Sequence, residues 1–422
     1  MVMRAMFMLA ICFGLCGVAA AQDGVPADSK GTDAAPKTEA PRAPEAPEVA
    51  RFTVRQGYEV TVALDRLDGA RFMEIGPDGT LYISRPHAGD IVECRDGDGD
   101  GVYERMRQVL DEHGSVQAMQ WHDGWLWFAT STQVWKTRST GEGAREVVPV
   151  LMDLPGGSGH WWRSLLVTDT HLYTSVGDSG NITDEPDSDR QKVWRYTLTG
   201  SDKTLWCSGI RNTEKLRFRP GTTEIWGVDH GSDWFGEKYG ESNEKGMPIT
   251  DLNPPDELNR YEQGKFYGHP FVAGNRVPRI EFREREDLIE IAGRTTPPEW
   301  CFGAHWAANS FTFVDPALNA KTGAFPADHA GDMFVACRGS WNRSEPAGYQ
   351  VARVVFDKDP VLGGHPCGLQ SIVSTLTKNE AGEFEALARP VDCVQAQDGS
   401  ILFTSDAPVG RVYRIRWKGG GK

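Results

Sequence analysis

After residue 21 the chain has no apolar run approaching the roughly 20 residues that a membrane-spanning helix needs. Cysteine is scarce and unpatterned: eight in 422 residues, with no CxxC pair to hold zinc and no CxxCH to attach haem covalently. Amphipathic helical periodicity is nearly missing, EFREREDLIEIAG (281–293) being the best short candidate. Basic residues are in deficit, 45 against 59 acidic ones, giving a formal net charge of −14. Such a field repels phosphate backbones and anionic lipid, so no nucleic acid is expected as a partner. What the chain does have is 47 Gly, 25 Pro and 14 Trp. At this length it can bury a large core, and that composition suits many short strands and tight turns.

Residues 1–21, MVMRAMFMLAICFGLCGVAAA, carry an early Arg4, a short apolar run and a small-residue AAA before Gln22. This pattern reads as an export signal and implies a periplasmic or secreted protein. A retained anchor is the alternative, although the run falls short of a span. Residues 22–50 are mostly Ala, Pro, Asp, Glu and Lys, as in KGTDAAPKTEAPRAPEAPEVA. They bury too little to offset the entropy of folding, so a disordered leader is expected there and a folded domain over 51–420. Cys94, Cys207, Cys301, Cys337, Cys367 and Cys393 remain after signal removal, an even number compatible with disulfides or with free thiols.

Across the folded region a single pattern recurs: an Asp/Gly turn, a strand of apolar and small residues, a gap and a second strand. The six copies are IGPDGTLYISRPHAGDIVECR, WHDGWLWFATSTQVWKTR, VTDTHLYTSVGDSGN leading to KVWRYTL, FRPGTTEIWGVDHG, GDMFVACRGSWNRSEPAGYQVARVVF and AQDGSILFTSDAPVGRVYRIRW. The first three are about 45 residues apart, the length of a four-stranded propeller blade. Residues 232–300 interrupt the spacing between the fourth and fifth copies and read as an irregular insertion. The prediction is an all-β, six-bladed propeller. A pair of β-sandwiches is the alternative, but it does not require one motif repeated at near-constant spacing.

Function in a propeller concentrates where loops from several blades converge. The segments at the blade starts and ends are polar: GHWWRSL, GIRNTEKL, VDHGSD with DLNPPDELNRY, RGSWNRSEPAGY and ARPVD. They bring Arg163, Arg211, Arg338, Arg343 and Arg389 toward one face of an acidic protein, which suits a polyanionic small ligand held by bidentate guanidinium contacts. Blade-to-blade ion pairs are the alternative for any one of them.

In this order, GHWWRSL, GIRN, VDHGSD with DELNRY, GSWNRSEPAGYQV, and RPVD with QDGSILFTSD resemble the motifs of the glucose/sorbosone dehydrogenase family. These are quinoproteins that use pyrroloquinoline quinone on a six-bladed propeller, and the resemblance covers about residues 52 to 417. It implies that His160 is the general base, that Arg211 and Asn212 lie beside the quinone oxygens, and that Arg343 and Arg389, with Arg338 nearby, hold the cofactor. It also implies Ca²⁺ on the backbone carbonyls of Gly231 and Ser232, where Ser232 replaces a frequent proline. The implied reaction oxidises a sugar or polyol hydroxyl by hydride transfer to the quinone. With no haem motif in the chain, a separate electron acceptor such as a cytochrome or the quinone pool is implied as partner.

Trp161 and Trp162 depart from the family pattern and either pack between blades or wall the channel. RDGDGDGVYER places Asp96, Asp98 and Asp100 like half of a calcium loop, but Arg107 stands where a closing Glu is expected, so a solvated turn is the competing reading. His230, His305 and His365 show no metal spacing and are read as structural. Two other functions stay open. A lactonase-like hydrolase would recruit Asp229 and Asp256 to a channel metal, and a cofactor-free propeller would bind carbohydrate or protein.

Overall fold

Short strands, many of them buried along nearly their whole length, form six antiparallel blade sheets, five of four strands and one of five, where Thr53–Val54 adds to the fifth blade, as the computed structural model of residues 46–141, 143–236, 248–361 and 363–419 shows. The expected signal peptide and leader residues 22–45 lie outside these described residues. The innermost strands are Met73–Ile75, Met119–His122, Leu166–Val167, Thr213–Phe218, Ala308–Phe313 and Pro390–Gln395. Blade one follows blade six in the ring, because Pro390–Gln395 contacts Met73–Ile75 on one side and Ala308–Phe313 on the other.

Six buried apolar clusters explain why the sheets close into a ring, since each cluster spans two neighbouring blades. Tyr82 and Ile91 of blade one meet Leu126 and Phe128 of blade two. Trp226 and Leu258 of blade four meet Phe311 and Val335 of blade five. Leu402 and Val412 of blade six meet Leu81 and Ile83 of blade one. The pairs two–three, three–four and five–six are sealed likewise. A lone blade would leave these faces wet, at about 25 cal/mol for each Å² of apolar surface exposed.

Three features differ from the sequence reading. The outermost strand of blade six is Tyr58–Leu64, from the start of the domain, which pairs with Arg411–Trp417 and latches the ring. Residues 232–300 are not simply an insertion: Pro255–Tyr261 within them and Trp300–Ala304, which starts at their end, are the outer two strands of blade four. A hairpin, Val272–Ala273 with Val277–Pro278, and the helix Leu288–Arg294 are what is added between those strands. Finally, the folded domain begins before Arg51. Pro47–Arg51 form a 3₁₀ turn, and Glu48 accepts hydrogen bonds from Arg411 and from the Tyr413 hydroxyl, the latter at 2.9 Å.

The channel is plugged by charge. Lys215 and Asp392, 2% and 0% exposed, pair at 3.0 Å between blades four and six. Asp392 also accepts from the Met73 amide at 2.6 Å, and Arg217 pairs with Glu74 at 2.8 Å. Among the described residues no helix is long and apolar enough to cross a membrane. Among the described residues the six cysteines are all free, with Cys301 and Cys367 exposed and the others buried.

Candidate functional site

His160 is placed by its backbone. Gly159 has φ +82°, and a Cβ there would lie 2.3 Å from the carbonyl carbon of Ser179. At Gly177 a Cβ would lie 2.7 Å from that of His160 and 2.6 Å from the Arg211 carbonyl. Both glycines are therefore required by close approach. With them in place the His160 amide donates to the Asp178 carbonyl at 2.8 Å, and the Asp178 amide donates to the Arg211 carbonyl at 2.9 Å. Blades three and four are tied together at the base of the candidate histidine.

The imidazole borders a cavity of about 270 Å³ at one mouth of the channel, lined also by Arg71, Trp162, Arg211, Asn212, Arg338 and Arg389. His160 Nε2 is buried and has no hydrogen-bond partner among the described residues. Burial, reinforced by the nearby Arg211 and His230, pushes its pKa down to about 2, so the ring is neutral at ordinary pH.

Arg211 and Asn212 immediately precede the inner strand of blade four, where their amides donate to Asp229 at 2.9 and 2.7 Å. The Arg211 guanidinium is held from three sides, by the Asn181 carbonyl at 2.9 Å, the Asn181 side chain at 2.7 Å and the Gly231 carbonyl at 2.8 Å. Its ion pair with Asp233 is 3.3 Å long.

Across the cavity, Arg338 pairs with both oxygens of Asp406 at 3.1 Å, and Arg71 reaches the same carboxylate at 2.7 Å. Arg389 donates to the carbonyls of Arg338 and Gly339 at 3.1 and 2.7 Å. Burial lowers the Arg389 pKa and the neighbouring Arg338 lowers it further, a mutual repulsion that a bound anion would relieve.

Several sequence expectations are placed elsewhere. Arg163 is not an anion partner: it is fully buried, and its guanidinium donates to the carbonyls of Pro155, His160 and Trp162. Burial, with Arg190 nearby, lowers its pKa to about 9. Arg343 lies outside the cavity lining, donating to the carbonyls of Asp251, Ala304 and Glu345. Ser232 is buried below the cavity, its hydroxyl donating to the Trp234 carbonyl and accepting from Arg279. Trp161 and Trp162 stack at 4.6 Å, and the Arg71 guanidinium lies 4.1 Å from the Trp162 ring centre. Trp162 thus walls the channel while Trp161 backs it.

Asp229 and Asp256 are engaged by backbone: Asp256 accepts from the amides of Gly231 at 2.9 Å and Ala308 at 3.0 Å. They position the loops through these amides. In the other acidic loop, Asp96 accepts from the amides of Gly99 and Gly101 at 2.7 and 2.8 Å, while Glu104 accepts from Gly97 at 2.7 Å. Glu104, rather than position 107, completes the cluster with Asp96 and Asp98. The loop carboxylates cap their own turn.

Sequence reasoning missed Arg71, Glu214, Asn309 and Asn342, and took His230 and His305 as structural, although both line the cavity. A usable signal was position: Arg71, Arg211, Asn212 and Arg389 all lie within two residues of the start of an inner strand. Trp341, 61% exposed, stands at the cavity edge with its ring 6.3 Å from that of Trp234.

A family model described as TrAA12-like matches residues 52–418. Among solved structures, the holo pyranose dehydrogenase PQQ domain of Coprinopsis cinerea superposes with a TM-score of 0.68 at 17% identity, covering 90% of this chain and 99% of that one. The iodide structure of the Trichoderma reesei family AA12 protein gives 0.71 at 16% identity, covering 87% and 98%. The PQQ-bound aldose sugar dehydrogenase of Streptomyces coelicolor gives 0.56 at 14% identity, covering 86% and 99%. At such identities the likeness concerns the fold. An uncharacterised protein of Borreliella burgdorferi is 26% identical over 248 residues, 58% of this chain and 57% of its own length. One from Synechocystis is 25% identical over 173 residues, 34% and 37% of the two chains. The chain therefore spans 57% and 37% of the lengths of these curated relatives. With a family match over nearly the whole propeller, and the same architecture in those solved structures, the chain belongs to the TrAA12-like family.

Proposed function

We propose that this protein is an oxidoreductase that oxidises a sugar or polyol hydroxyl, with pyrroloquinoline quinone seated in the cavity at the channel mouth. One observation carries the reading: a neutral, buried and unpartnered His160 nitrogen shares that cavity with the Arg71, Arg338 and Arg389 guanidinium groups. An anionic ligand rich in carboxylates fits this wall, because Asp406 is a single carboxylate shared by Arg71 and Arg338, while Arg389 donates only to carbonyls. Bound there, the quinone supplies a two-electron hydride acceptor.

The chain's own residues supply the rest. His160, neutral, accepts the proton of a substrate hydroxyl. Arg211 opposes the imidazolium, so a bound anion that offsets the Arg211 field raises the basicity of His160. The base thereby becomes effective only in the loaded site. Arg211, held on three sides, offers a fixed positive charge for oxygen that becomes anionic. Trp341 at the rim and Trp162 in the wall present aromatic faces to a sugar ring.

Calcium fits less simply. The Gly231 carbonyl already accepts from Arg211, and a divalent cation on that oxygen would lie next to the guanidinium. The motif resemblance and the N-terminal apolar run support a periplasmic or secreted enzyme that passes electrons to a separate acceptor. The hydrolase reading loses its carboxylates, because Asp229 and Asp256 are engaged by backbone amides.

Reconstitution tests the proposal. Apo protein mixed with pyrroloquinoline quinone is expected to develop bound-quinone absorbance and to reduce a dye with aldoses or polyols. Absence of both, with an intact thermal transition, would leave a cofactor-free binding propeller.

A further inference from the structure

Glu214 lines the same cavity and is buried, yet neither the motif resemblance nor the proposed chemistry uses it. Its two oxygens face two asparagines on different blades. Asn212 of blade four donates Nδ2 to Oε1 at 3.1 Å, and Asn309 of blade five donates Nδ2 to Oε2 at 3.1 Å. Arg71 of blade one reaches Oε2 at 3.4 Å. A carboxylate only accepts hydrogen bonds, so it dictates which end of each amide turns toward it. The Asn212 Nδ2 is also 2.9 Å from His230 Nδ1, while His230 Nε2 is 3.1 Å from the Ala308 carbonyl. A carbonyl is acceptor-only too, so Nε2 carries the proton and Nδ1 of the neutral ring accepts from Asn212.

The consequence lies at the other end of each amide. Among the described residues, Asn212 Oδ1 and Asn309 Oδ1 are buried with no hydrogen-bond partner, and both residues line the cavity. The same arrangement recurs at Asn342, whose Nδ2 donates to the Asp233 carbonyl while its Oδ1 has no partner. Buried acceptors without donors are costly, and three in one cavity wall call for a ligand that brings donors.

We propose that Glu214 is a positioning residue that locks Asn212 and Asn309 with their carbonyl oxygens offered to the ligand, so that the cavity selects molecules that donate hydrogen bonds, as the hydroxyls of a sugar or polyol do. This deepens the proposed function and rests on that cavity being the ligand site. It also gives Asn212 a role other than the one the motif resemblance implies, as an acceptor rather than a donor toward the ligand.

Two measurements test it. The first uses apo protein alone and compares thermal melts of Asn212→Asp, Glu214→Gln and the double variant at one pH. With Nδ2 toward Glu214, Asn212→Asp sets two carboxylate oxygens against each other and lowers the melting temperature. Adding Glu214→Gln turns an amide NH₂ toward the introduced carboxylate, leaves an acceptor for Asn309 and Arg71, and recovers most of the loss. Were the amide reversed, Asn212→Asp would melt like wild type and Glu214→Gln would rescue nothing, which overturns the lock.

The second measurement is calorimetric binding of glucose, and of its per-O-methylated form, to quinone-loaded protein. The methylated sugar keeps its acceptors and loses its donors, and is expected to bind at least about tenfold more weakly. Equal binding overturns the selection for donors. Failure to load the quinone at all would defeat the proposed function while leaving the melts, and therefore the lock, intact.

Discussion

Replacing Asp392 by alanine removes one half of the ion pair that plugs the channel. Lys215 is left 2% exposed with no carboxylate on it, and the Met73 and Cys393 amides lose their acceptor. Breaking a buried pair from one side costs about 3–5 kcal/mol. Unfolding entropy near 2.1 cal/mol/K per residue over roughly 360 residues gives about 0.8 kcal/mol/K. The melting temperature should therefore fall by about 4 to 7 °C.

The deficit should also depend on pH. Burial, with Arg217 nearby, already lowers the Lys215 pKa. Without Asp392 the folded state holds that proton still less well than the unfolded chain, so stability rises with pH and the deficit shrinks between pH 6.5 and 9. Lys215→Met with Asp392→Leu should recover most of the loss, because an apolar pair replaces an unbalanced charge. Calorimetric melts of wild type, Asp392→Ala and the double variant at both pH values decide the matter. A deficit under about 1 °C, or one independent of pH, would refute the claim that this pair joins blades four and six. Lys215 adjoins Glu214, and Asp392 lies three residues after Arg389, so ligand affinity of Asp392→Ala should weaken in parallel.

Further outcomes follow from the site. His160→Gln should keep the quinone and the melting temperature, since Gly159 and Gly177 set the loop through backbone, while stopped-flow quinone reduction falls by about 10² to 10⁴; near wild-type rates would remove His160 from the mechanism. Arg389→Ala should weaken quinone affinity by about 10- to 100-fold, measured by absorbance titration, because one charge-assisted bond is lost, with a smaller change in the melt; equal losses would mark it as structural. Calcium added to apo protein should leave the melt unchanged while Arg211 occupies the Gly231 carbonyl, and a rise of several degrees would show that the ion displaces it. Burial and Asp229 push the Glu257 pKa up to about 8. Between its ordinary value near 4.5 and about 8 the folded state binds the extra proton, so stability falls as pH rises through that window. Glu257→Gln should flatten the dependence in melts from pH 5 to 8.5, with Asn259, whose Oδ1 is unpartnered, able to turn and accept.

Much of the architecture was legible in the linear chain because strand alternation and turn glycines are local. Six copies of one strand-turn-strand motif imply six sheets that cannot bury their faces alone, and closure into a ring follows. The GSGH approach to His160 was legible for the same reason, since Gly159 answers to its own φ and its nearest loop. The outer half of blade four was hidden because its strands, Pro255–Tyr261 and Trp300–Ala304, are separated by a hairpin and a helix that break the spacing. The latch by Tyr58–Leu64 was hidden because it joins residues about 350 apart, which no local period reports.

Tertiary structure alone decided which polar side chains share the mouth. Arg163 and Arg211 look alike in the sequence, each just before an inner strand. Arg163 meets only carbonyls in a closed pocket, whereas Arg211 meets Asn181, Gly231 and the open cavity. The direction of a side chain there depends on six inner strands converging from positions far apart in the chain. The orientation of the Asn212 and Asn309 amides is further still from the sequence. It depends on one carboxylate, Glu214, set between blades four and five, which only the closed ring brings within hydrogen-bond distance of both.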